Sequence, residues 1–468
     1  MSRYIFVFTG SFLLLISLLS FVNIIYSYYF NLYLNVSSYL PTLISSLFLG
    51  LILVFYKSFN FKKITIYQKI FTVVLGYLIL PVLISFPYYF SIYNITFIDS
   101  YFEAISGFTS TGFTIFENIK HIDSSLILWR STSQWIGGLY FLFCIILLID
   151  LFDNKLKNLF TNFITFNSSE FLKQSFKIVL IYVFLTFFIF LILKFINLRN
   201  FDALNFALTI ISSGGFKPIN EINYLLKNDF KIIMFSLTFL LSFFSLFLIY
   251  NLVFLKNKYL NFFTEDFYLL LYLLFIISIF FIFFSDKNFS LLLLSITSSV
   301  SNIGIFYYED SNRLSFLYLI LVIIGGSFFS TSSGLRFFKI LTLIKFSLNE
   351  LLSHSKPKQI LLNKVMFGND KVDYDVINKY FLSILIFVIS LTTITFLLSL
   401  SGIKFENSIK LGLLTIMNTV NSSLYALQDF NFSNLNISAK VSLICFMIIG
   451  RVEFITLIIL IKKYLFKN

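Results

Sequence analysis

Cysteine and histidine are scarce in this sequence, with two residues of each type among 468. Cys144 and Cys445 both fall inside apolar runs, so neither a disulfide framework nor a metal framework is implied. Charge is scarce as well, since charged residues make up 12% of the chain and hydrophobic residues 58%. This composition is far too apolar for a soluble protein of this length and excludes the soluble classes.

The chain instead contains a series of apolar runs of about 20 residues, each long enough to span the hydrocarbon core of a bilayer. The runs are continuous and do not alternate with polar residues, which excludes a transmembrane β-barrel. The first run is too long for a signal peptide and lacks a small-residue cleavage site. We therefore predict an all-α membrane protein whose first apolar run is a membrane helix.

The basic residues are placed unevenly, although the net charge of +13 could by itself suggest a nucleic-acid partner. They collect in alternate loops, which the positive-inside rule assigns to the cytoplasm. These loops contain Lys57, Lys62, Lys63 and Lys69; Lys155, Lys157, Lys173 and Lys177; Lys256 and Lys258; and Arg336, Lys339, Lys345, Lys356, Lys358, Lys364 and Lys371. The loop from Lys194 to Lys231 is an exception, being basic and assigned outside. We predict that both termini are cytoplasmic. We also predict that the protein interacts with the lipid bilayer and binds no nucleic acid.

The stretch Phe102–Phe116 is too short and too polar to cross a bilayer, yet it lies between two segments that can, Phe71–Tyr93 and Leu126–Ile149. It is rich in hydroxyl side chains, and Gly112 allows backbone angles that other residues resist. Non-helical backbone at membrane depth survives only when it is buried in protein or lines a watery cavity. Carbonyl oxygens in such a loop can replace the water shell of a cation. The stretch therefore predicts a re-entrant pore loop.

This unit of helix, polar loop and helix recurs three more times. The copies are Ile178–Ile196, Phe201–Phe216 and Ile232–Phe254; Phe267–Phe284, Leu291–Phe306 and Ser315–Phe346; and Tyr380–Leu400, Ile409–Tyr425 and Ala439–Leu465. A single loop of this kind is more often an ordinary turn, but four in equivalent places favour a repeat. We predict an N-terminal membrane hairpin, 1–66, and four pseudo-repeats around one pore, with ten spanning helices and four re-entrant loops opening outward. The predicted repeats are 67–155, 172–258, 263–347, with a broken second helix, and 375–468.

Four motifs carry more specific information about fold and function than the composition does. They are Phe108-Thr-Ser-Thr-Gly-Phe-Thr114, Leu128-Trp-Arg-Ser-Thr-Ser-Gln-Trp-Ile-Gly-Gly138, Gly325-Gly-Ser-Phe-Phe-Ser-Thr-Ser-Ser-Gly-Leu-Arg336 and Gly450-Arg-Val-Glu-Phe-Ile-Thr456. They resemble the first filter, the helix after it, the broken helix of the third repeat and the last helix of the TrkH/KtrB family of potassium uptake transporters. The resemblance covers nearly the whole chain beyond about residue 70.

The resemblance implies the potassium-translocating membrane subunit of such a system, in a bacterial cytoplasmic (inner) membrane. It implies a selectivity filter with K⁺ as the substrate ion at Thr111, Gly112, Gly214, Gly215, Ile303, Gly304, Val420 and Asn421. It also implies a homodimer and a separate cytoplasmic nucleotide-binding regulatory subunit similar to TrkA or KtrA. No cofactor in this chain and no catalytic residue are expected.

Two loops depart from the family pattern. The fourth reads Asn418-Thr-Val-Asn421 where the family has Gly-Thr-Val-Gly, and the third has Asn302-Ile-Gly304. Asn visits positive φ more readily than other non-glycine residues, so Asn421 is expected to keep the backbone path of glycine. Its amide adds bulk and competing polar atoms. We therefore predict only modest discrimination between potassium and sodium.

A gate is expected beneath the filter. The segment Ser327–Gly334 interrupts a long apolar helix, and Arg451 lies inside the last apolar run with Glu453 close by. Each feature also has a plainer interpretation. The interruption can be a packing kink whose serine hydroxyls bond to the backbone. Arg451 can be paired structurally or can snorkel to a membrane interface. The family pattern implies a gate made of Ser327, Ser330, Thr331, Ser332, Gly334 and Arg451. Arg130 is interpreted as structural, paired either with loop carbonyls or with an acidic group such as Glu103.

Two other functions stay open at this point. A membrane-embedded enzyme of polysaccharide or lipid assembly usually carries a large loop with paired acids near the membrane. The one long loop here, residues 347–376, has Asp370, Asp373 and Asp375 spread along it. A divergent, non-conducting relative that only binds partners is the other alternative.

Overall fold

The fold was analysed in a computed structural model, which describes residues 3–55, 65–152, 171–220, 222–246, 248, 263–284, 288–307, 314–355, 374–427 and 430–452. These residues form α-helices connected by short loops. The helices are α1 Arg3–Tyr29, α2 Val36–Phe55, α3 Ile66–Tyr89, α4 Phe97–Phe108, α5 Ser124–Phe152, α6 Phe171–Phe195, α7 Asn200–Ile211, α8 Asp229–Phe243, α9 Phe263–Phe283, α10 Phe289–Val300, α11 Ser315–Ile323, α12 Phe337–Ser355, α13 Tyr374–Leu400, α14 Phe405–Ile416 and α15 Ile437–Val452. The described residues also contain 3₁₀ turns at Tyr33–Asn35, Ile119–His121 and Ser423–Tyr425. The all-α prediction is confirmed.

Seven helices among the described residues are long and apolar enough to cross a membrane. They are Phe6–Tyr29, Tyr33–Phe55, Ile66–Tyr89, Ser124–Leu148, Ser175–Phe195, Glu265–Phe283 and Val376–Leu400. A helix satisfies its backbone hydrogen bonds internally, which is why apolar runs of this length become helices in lipid. The chain is therefore a multi-pass membrane protein. The prediction of ten spanning helices remains a prediction.

Burial separates a central helix from peripheral ones. In the most apolar stretch of α5, 94% of the residues are buried inside the protein. The share is 28% in the corresponding stretches of α2 and α9. Large apolar side chains on the peripheral helices, such as Phe48 and Phe275, are exposed where a membrane would contact them. Polar residues of α5, including Arg130 and Gln134, are buried with it. The helix after the first loop is therefore a central one, against which α1, α3, α4, α6 and α7 pack.

The N-terminal hairpin packs closely because glycines face each other. A β-carbon added at Gly10 would lie 3.0 Å from Leu53 and Val54 of α2, and one at Gly50 would press on Leu14. Small residues at such crossings let membrane helices approach one another. The Ser20 hydroxyl donates to the carbonyl of Tyr39, 2.9 Å away, and joins the two helices further along.

Four short helices, α4, α7, α10 and α14, contain 12 residues each. At 1.5 Å per residue a helix of this length spans about 18 Å, roughly half of a bilayer. Each overlaps the stretch that the sequence analysis assigned to a pore loop and begins one to five residues before it. A helix that ends at half depth needs its terminal carbonyl groups satisfied by protein, and the loops after these helices do this.

The long apolar helix of the third unit is interrupted. Helix α11 ends at Ile323, and the two-residue strands β1 Ile324–Gly325 and β2 Leu335–Arg336 then pair in parallel before α12 begins. The segment between them, residues 326–334, is called the inner loop below. The interruption predicted at Ser327–Gly334 lies within it.

Several sequence predictions fall outside the described residues. These are the basic positions Lys57, Lys62, Lys63, Lys155, Lys157, Lys256, Lys258, Lys356, Lys358, Lys364 and Lys371, the acids Asp370 and Asp373, and Glu453.

Candidate functional site

The four short helices end in the same way. The second residue after each helix has a left-handed backbone: Ser110 (φ 54°), Ser213 (φ 54°), Asn302 (φ 62°) and Asn418 (φ 46°). The next N–H group then bonds back to the last turn of the helix, over 2.9 Å from Thr111 to Ser106, 2.8 Å from Gly214 to Thr209, 3.0 Å from Ile303 to Ser298 and 2.9 Å from Thr419 to Leu414. This is the Schellman ending, which satisfies terminal carbonyls and turns the chain back.

This shared ending aligns the loops residue by residue. Thr111, Gly214, Ile303 and Thr419 are equivalent, and so are Gly112, Gly215, Gly304 and Val420. Asn421, predicted to match the glycines, therefore lies one position beyond them. The expectation that it takes a left-handed backbone is wrong, because the left-handed asparagine of this loop is Asn418. Gly112 (φ 82°) and Gly304 (φ 71°) do have positive φ.

The four loops contact one another in chain order and close a ring. A β-carbon added at Gly112 would lie 3.2 Å from the Cα of Gly215, and one at Gly215 would lie 2.7 Å from the carbonyl oxygen of Ile303. The third and fourth loops, and the fourth and first, are joined by side-chain hydrogen bonds. The structure therefore brings all eight predicted filter residues into one cluster.

Asn302 and Asn418 brace this ring in the same manner. Asn302 Nδ2 donates to Thr419 Oγ1 of the fourth loop at 3.1 Å and to the carbonyl of Val322 at 3.0 Å. Asn418 Nδ2 donates to Thr111 Oγ1 of the first loop at 3.0 Å and to the carbonyl of Met447 at 2.9 Å. Each asparagine thus links its loop to the next loop and to the helix that follows its own. Both were noticed only as departures from a family pattern, and their bridging role was not predicted.

The first loop is held by the ion pair that the sequence predicted. Arg130 Nε lies 2.9 Å from Glu103 Oε1, with both side chains buried. Glu103 also accepts from the N–H of Ile115 at 2.9 Å, and Arg130 Nη2 donates to Thr114 Oγ1 at 2.9 Å. The guanidinium lies 4.1 Å from the ring centre of Phe216, which comes from the second loop. This pair therefore fixes the segment of the first loop that follows Gly112, and it also contacts the second loop.

A lysine lies beside the outer end of the second loop. Lys217 Nζ is 4.9 Å from the ring centre of Phe306, which follows the third loop. Loss of water around the half-buried ammonium lowers the pKa of Lys217 to about 8. A cation approaching the ring from this side would meet this charge.

The inner loop is tied to two buried charged groups. Glu265, near the start of α9, accepts from the N–H of Phe328 at 2.9 Å and from the Ser327 hydroxyl at 3.3 Å. Arg336 Nη1 donates to the carbonyls of Ser327 and Ser332, both at 3.1 Å. Glu265 was not predicted, because an acid at the start of an apolar run is usually an interfacial residue. Its partners are visible only in three dimensions.

The inner loop lies directly beneath the ring. Thr331 Oγ1 donates to the carbonyl of Ile211, the last residue of α7, at 2.7 Å, and a 3.2 Å hydrogen bond joins it to the Ser213 hydroxyl. Ser330 and Ser332 share a hydrogen bond of 3.0 Å, and Gly334 has φ 86° where the loop enters β2. All of these residues except Gly334 are buried.

Arg451 connects the ring to the inner loop. Its Nε donates to the carbonyl of Thr109, at the end of α4, over 2.5 Å, and its Nη1 donates to the carbonyl of Thr331 over 2.9 Å. The guanidinium is buried and lies 4.5 Å from the ring centre of Phe141. No carboxylate among the described residues forms an ion pair with it. The six predicted gate residues therefore belong to one structure under the four loops.

The acidic side chains of the described residues are relevant to the enzyme alternative. They contain no cluster of three or more histidine, cysteine, aspartate or glutamate side chains suited to a metal ion. The acids of the long loop, Asp370 and Asp373, lie outside these residues. Among the described buried acids, Glu103, Glu265 and Asp266 bond to an arginine or to loop N–H groups, and Asp202 has Arg199 as its nearby charge.

No family model matches the chain. An uncharacterized cation transporter of Methanocaldococcus jannaschii is 26% identical over 463 residues, covering 94% of this chain and 91% of that protein. The Trk system potassium uptake protein TrkH of Escherichia coli is 25% identical over 432 residues, 83% of each chain, and TrkG of that species is 24% identical over 426 residues, 85% of this chain and 84% of that protein. The crystal structure of the potassium transporter TrkH from Vibrio parahaemolyticus superimposes with a TM-score of 0.84 at 21% identity, over 98% of both chains. Sequence relatives along most of the chain, together with this shared fold, confirm the resemblance to the TrkH/KtrB family that the motifs indicate.

Proposed function

We propose that this chain is the membrane subunit of a potassium uptake system and that K⁺ passes between the four loops. The observation that carries this proposal is the ring of four equivalent helix endings. The C-terminal end of a helix carries partial negative charge, so four such ends facing one region favour a cation there. Loop carbonyl oxygens can then take the place of its water shell.

Arg451 and the inner loop form the closed gate of this pathway. A fixed positive charge in a pore of low dielectric constant repels a passing cation. Arg451 holds the carbonyls of Thr109 and Thr331, so it closes the region between the ring and the inner loop. Opening requires these two hydrogen bonds to break and the serine-rich loop to move.

The assembly follows from the same proposal. The chain acts as a homodimer in a bacterial cytoplasmic membrane, and a separate cytoplasmic nucleotide-binding subunit moves the inner loop.

The four repeats have the boundaries given by the sequence, with both termini inside. A cysteine introduced at Asn118 should react with an impermeant maleimide from outside and one at Lys358 from inside. Labelling of position 358 from outside would overturn this topology.

The direct test is growth on limiting potassium of a bacterial strain that lacks its own potassium uptake systems. The chain, with a regulatory subunit from its own genome, should restore growth. Gly112→Ala should abolish rescue, because a β-carbon there meets Val420 at 3.1 Å and the backbone has positive φ. Gly402→Ala is the matched control, since Gly402 has φ 90° and no neighbour within 4 Å.

Two outcomes would contradict the proposal. The first is no rescue by the wild-type chain when it is present in the membrane with its regulatory subunit. The second is equal rescue by Gly112→Ala and Gly402→Ala, which would mean that the ring is not on the ion pathway.

A further inference from the structure

Three of the four loops carry glycine at the same position, and the fourth carries valine. Gly112, Gly215 and Gly304 each come two residues after the left-handed residue that ends the short helix, and Val420 holds that position in the fourth loop. A β-branched residue resists positive φ strongly, so Val420 cannot follow the backbone path of Gly112 and Gly304. The ring is therefore asymmetric at this level.

The Val420 side chain lies between the three glycines. A β-carbon added at Gly112 would be 3.1 Å from Val420 Cβ and Cγ2, and one added at Gly304 would be 2.5 Å from Val420 Cγ1. The side chain also blocks the space where a β-carbon on Gly215 would lie. Because the glycines come from three loops of one ring, a side chain that neighbours all three lies on the central path.

Apolar packing does not account for this position. Val420 is buried, at 6% exposed, but it does not belong to the contiguous apolar cluster that includes its sequence neighbours Met417 and Leu424. Three of its neighbours are the glycines Gly112, Gly215 and Gly304. Burial of an isopropyl group in a ring of peptide groups removes those groups from water and from any ion.

We propose that the Val420 side chain closes the ion path at the level of the three glycines, and that ions pass only when the fourth loop moves it aside. This inference rests on the proposed function and adds a second closure, above that formed by Arg451. An apolar constriction stops ions because a cation there loses water without gaining a ligand.

The loop also holds the side chain in place. Valine has a stiff χ1, so rotation within a fixed backbone gives little clearance. The residues before it are anchored to neighbouring loops, Asn418 to Thr111 and Thr419 to Asn302. Moving Val420 off the path therefore means loosening the bracing hydrogen bonds of the ring.

The test is ion flux into proteoliposomes that contain the purified full-length chain together with the regulatory subunit from its own genome, with K⁺ or Na⁺ as the ion. Flux should increase in the order Val420→Ile, wild type, Val420→Ala, Val420→Gly, with a change of about tenfold or more between the ends of the series. Val73→Ala is the matched control, because Val73 is also buried but belongs to the contiguous apolar cluster. It removes the same atoms and should leave flux within about twofold.

Size-exclusion profiles establish which variants are folded, and Val420→Ala suffices if Val420→Gly is not. A wild type that conducts, with Val420→Ala and Val420→Gly no faster, would overturn this inference and leave the proposed function intact. Absence of flux in the wild type and in every folded variant would overturn both. Flux in Val420→Gly from a silent wild type supports the closure directly.

Discussion

The first and fourth loops begin identically and then diverge. Both follow a 12-residue helix and both end it with a Schellman motif. The first loop continues through Gly112, with φ 82°, into an irregular segment fixed by Arg130 and Glu103. The fourth loop continues through Val420 into a 3₁₀ turn. Backbone geometry thus dictates how such a helix ends, and the next two residues decide what the loop presents to the path.

The fourth unit also holds the first. Asn418 bonds to Thr111, Arg451 bonds to the carbonyl of Thr109, and Lys440 Nζ lies 2.5 Å from Asp99 at the start of α4. These contacts reach the first short helix at both of its ends. The two loops are therefore anchored to each other, and a movement of the fourth loop requires the bond between Asn418 and Thr111 to break.

The largest effect is expected from breaking the support of the first loop. Glu103→Ala leaves the buried Arg130 guanidinium without its partner, which costs about 3–5 kcal/mol in comparable cases. We expect a large loss of thermal stability in detergent and loss of potassium uptake. Glu406→Gln, which removes an exposed partner of Lys410, is the control and should change neither. Equal melting temperatures for the two variants would show that the ion pair does not support the loop.

The next effect tests the contact from α15 to the first loop. Arg451→Ala removes a buried positive charge and the bonds to Thr109 and Thr331, so flux without the regulatory subunit should rise about tenfold. Arg451→Lys keeps the charge but cannot span both carbonyls, and its flux should lie between the two. Deletion of Phe328–Ser330 should act in the same direction. Unchanged flux in all three folded variants would remove Arg451 and the inner loop from the gate.

A smaller effect distinguishes the contribution of Asn418 to ion discrimination from that of Asn421. Asn418→Ala removes two hydrogen bonds that brace the ring, at about 1 kcal/mol each, and should reduce both stability and the potassium-to-sodium flux ratio. Asn421→Gly should alter the ratio less, because Asn421 lies one position beyond the glycines and does not have positive φ. A larger change from Asn421→Gly would restore the original prediction that its amide weakens discrimination.

The smallest effect concerns Lys217, beside the second loop. With a pKa of about 8, its ammonium is charged below that pH and neutral above it. Potassium flux should therefore rise by up to about twofold as the pH increases from about 7 to about 9. Lys217→Arg should remain charged and abolish the rise, and Lys217→Gln should be flat at the higher level. The same pH profile in all three proteins would exclude Lys217 as its source.

Much of the fold was predictable because continuous apolar runs leave the backbone little choice but helix. The pairing of Arg130 with Glu103 was also predictable, since two buried charges in neighbouring segments need each other. The register of the fourth loop was not, because glycine marks the equivalent position in the other three and is missing there. The roles of Asn302, Asn418 and Glu265 depend on partners up to 307 residues away in sequence, which local pattern does not reveal.

The central claim, that cations bind within the ring of loops, is tested most directly by a crystal structure in rubidium, a scatterer that substitutes for potassium. Anomalous density is predicted on the ring axis, next to the backbone carbonyls of Thr111, Gly214, Ile303 and Thr419, and separated from the outer solution by the Val420 side chain. Density confined to other parts of the molecule, with none on this axis in a well-ordered crystal, would contradict the account.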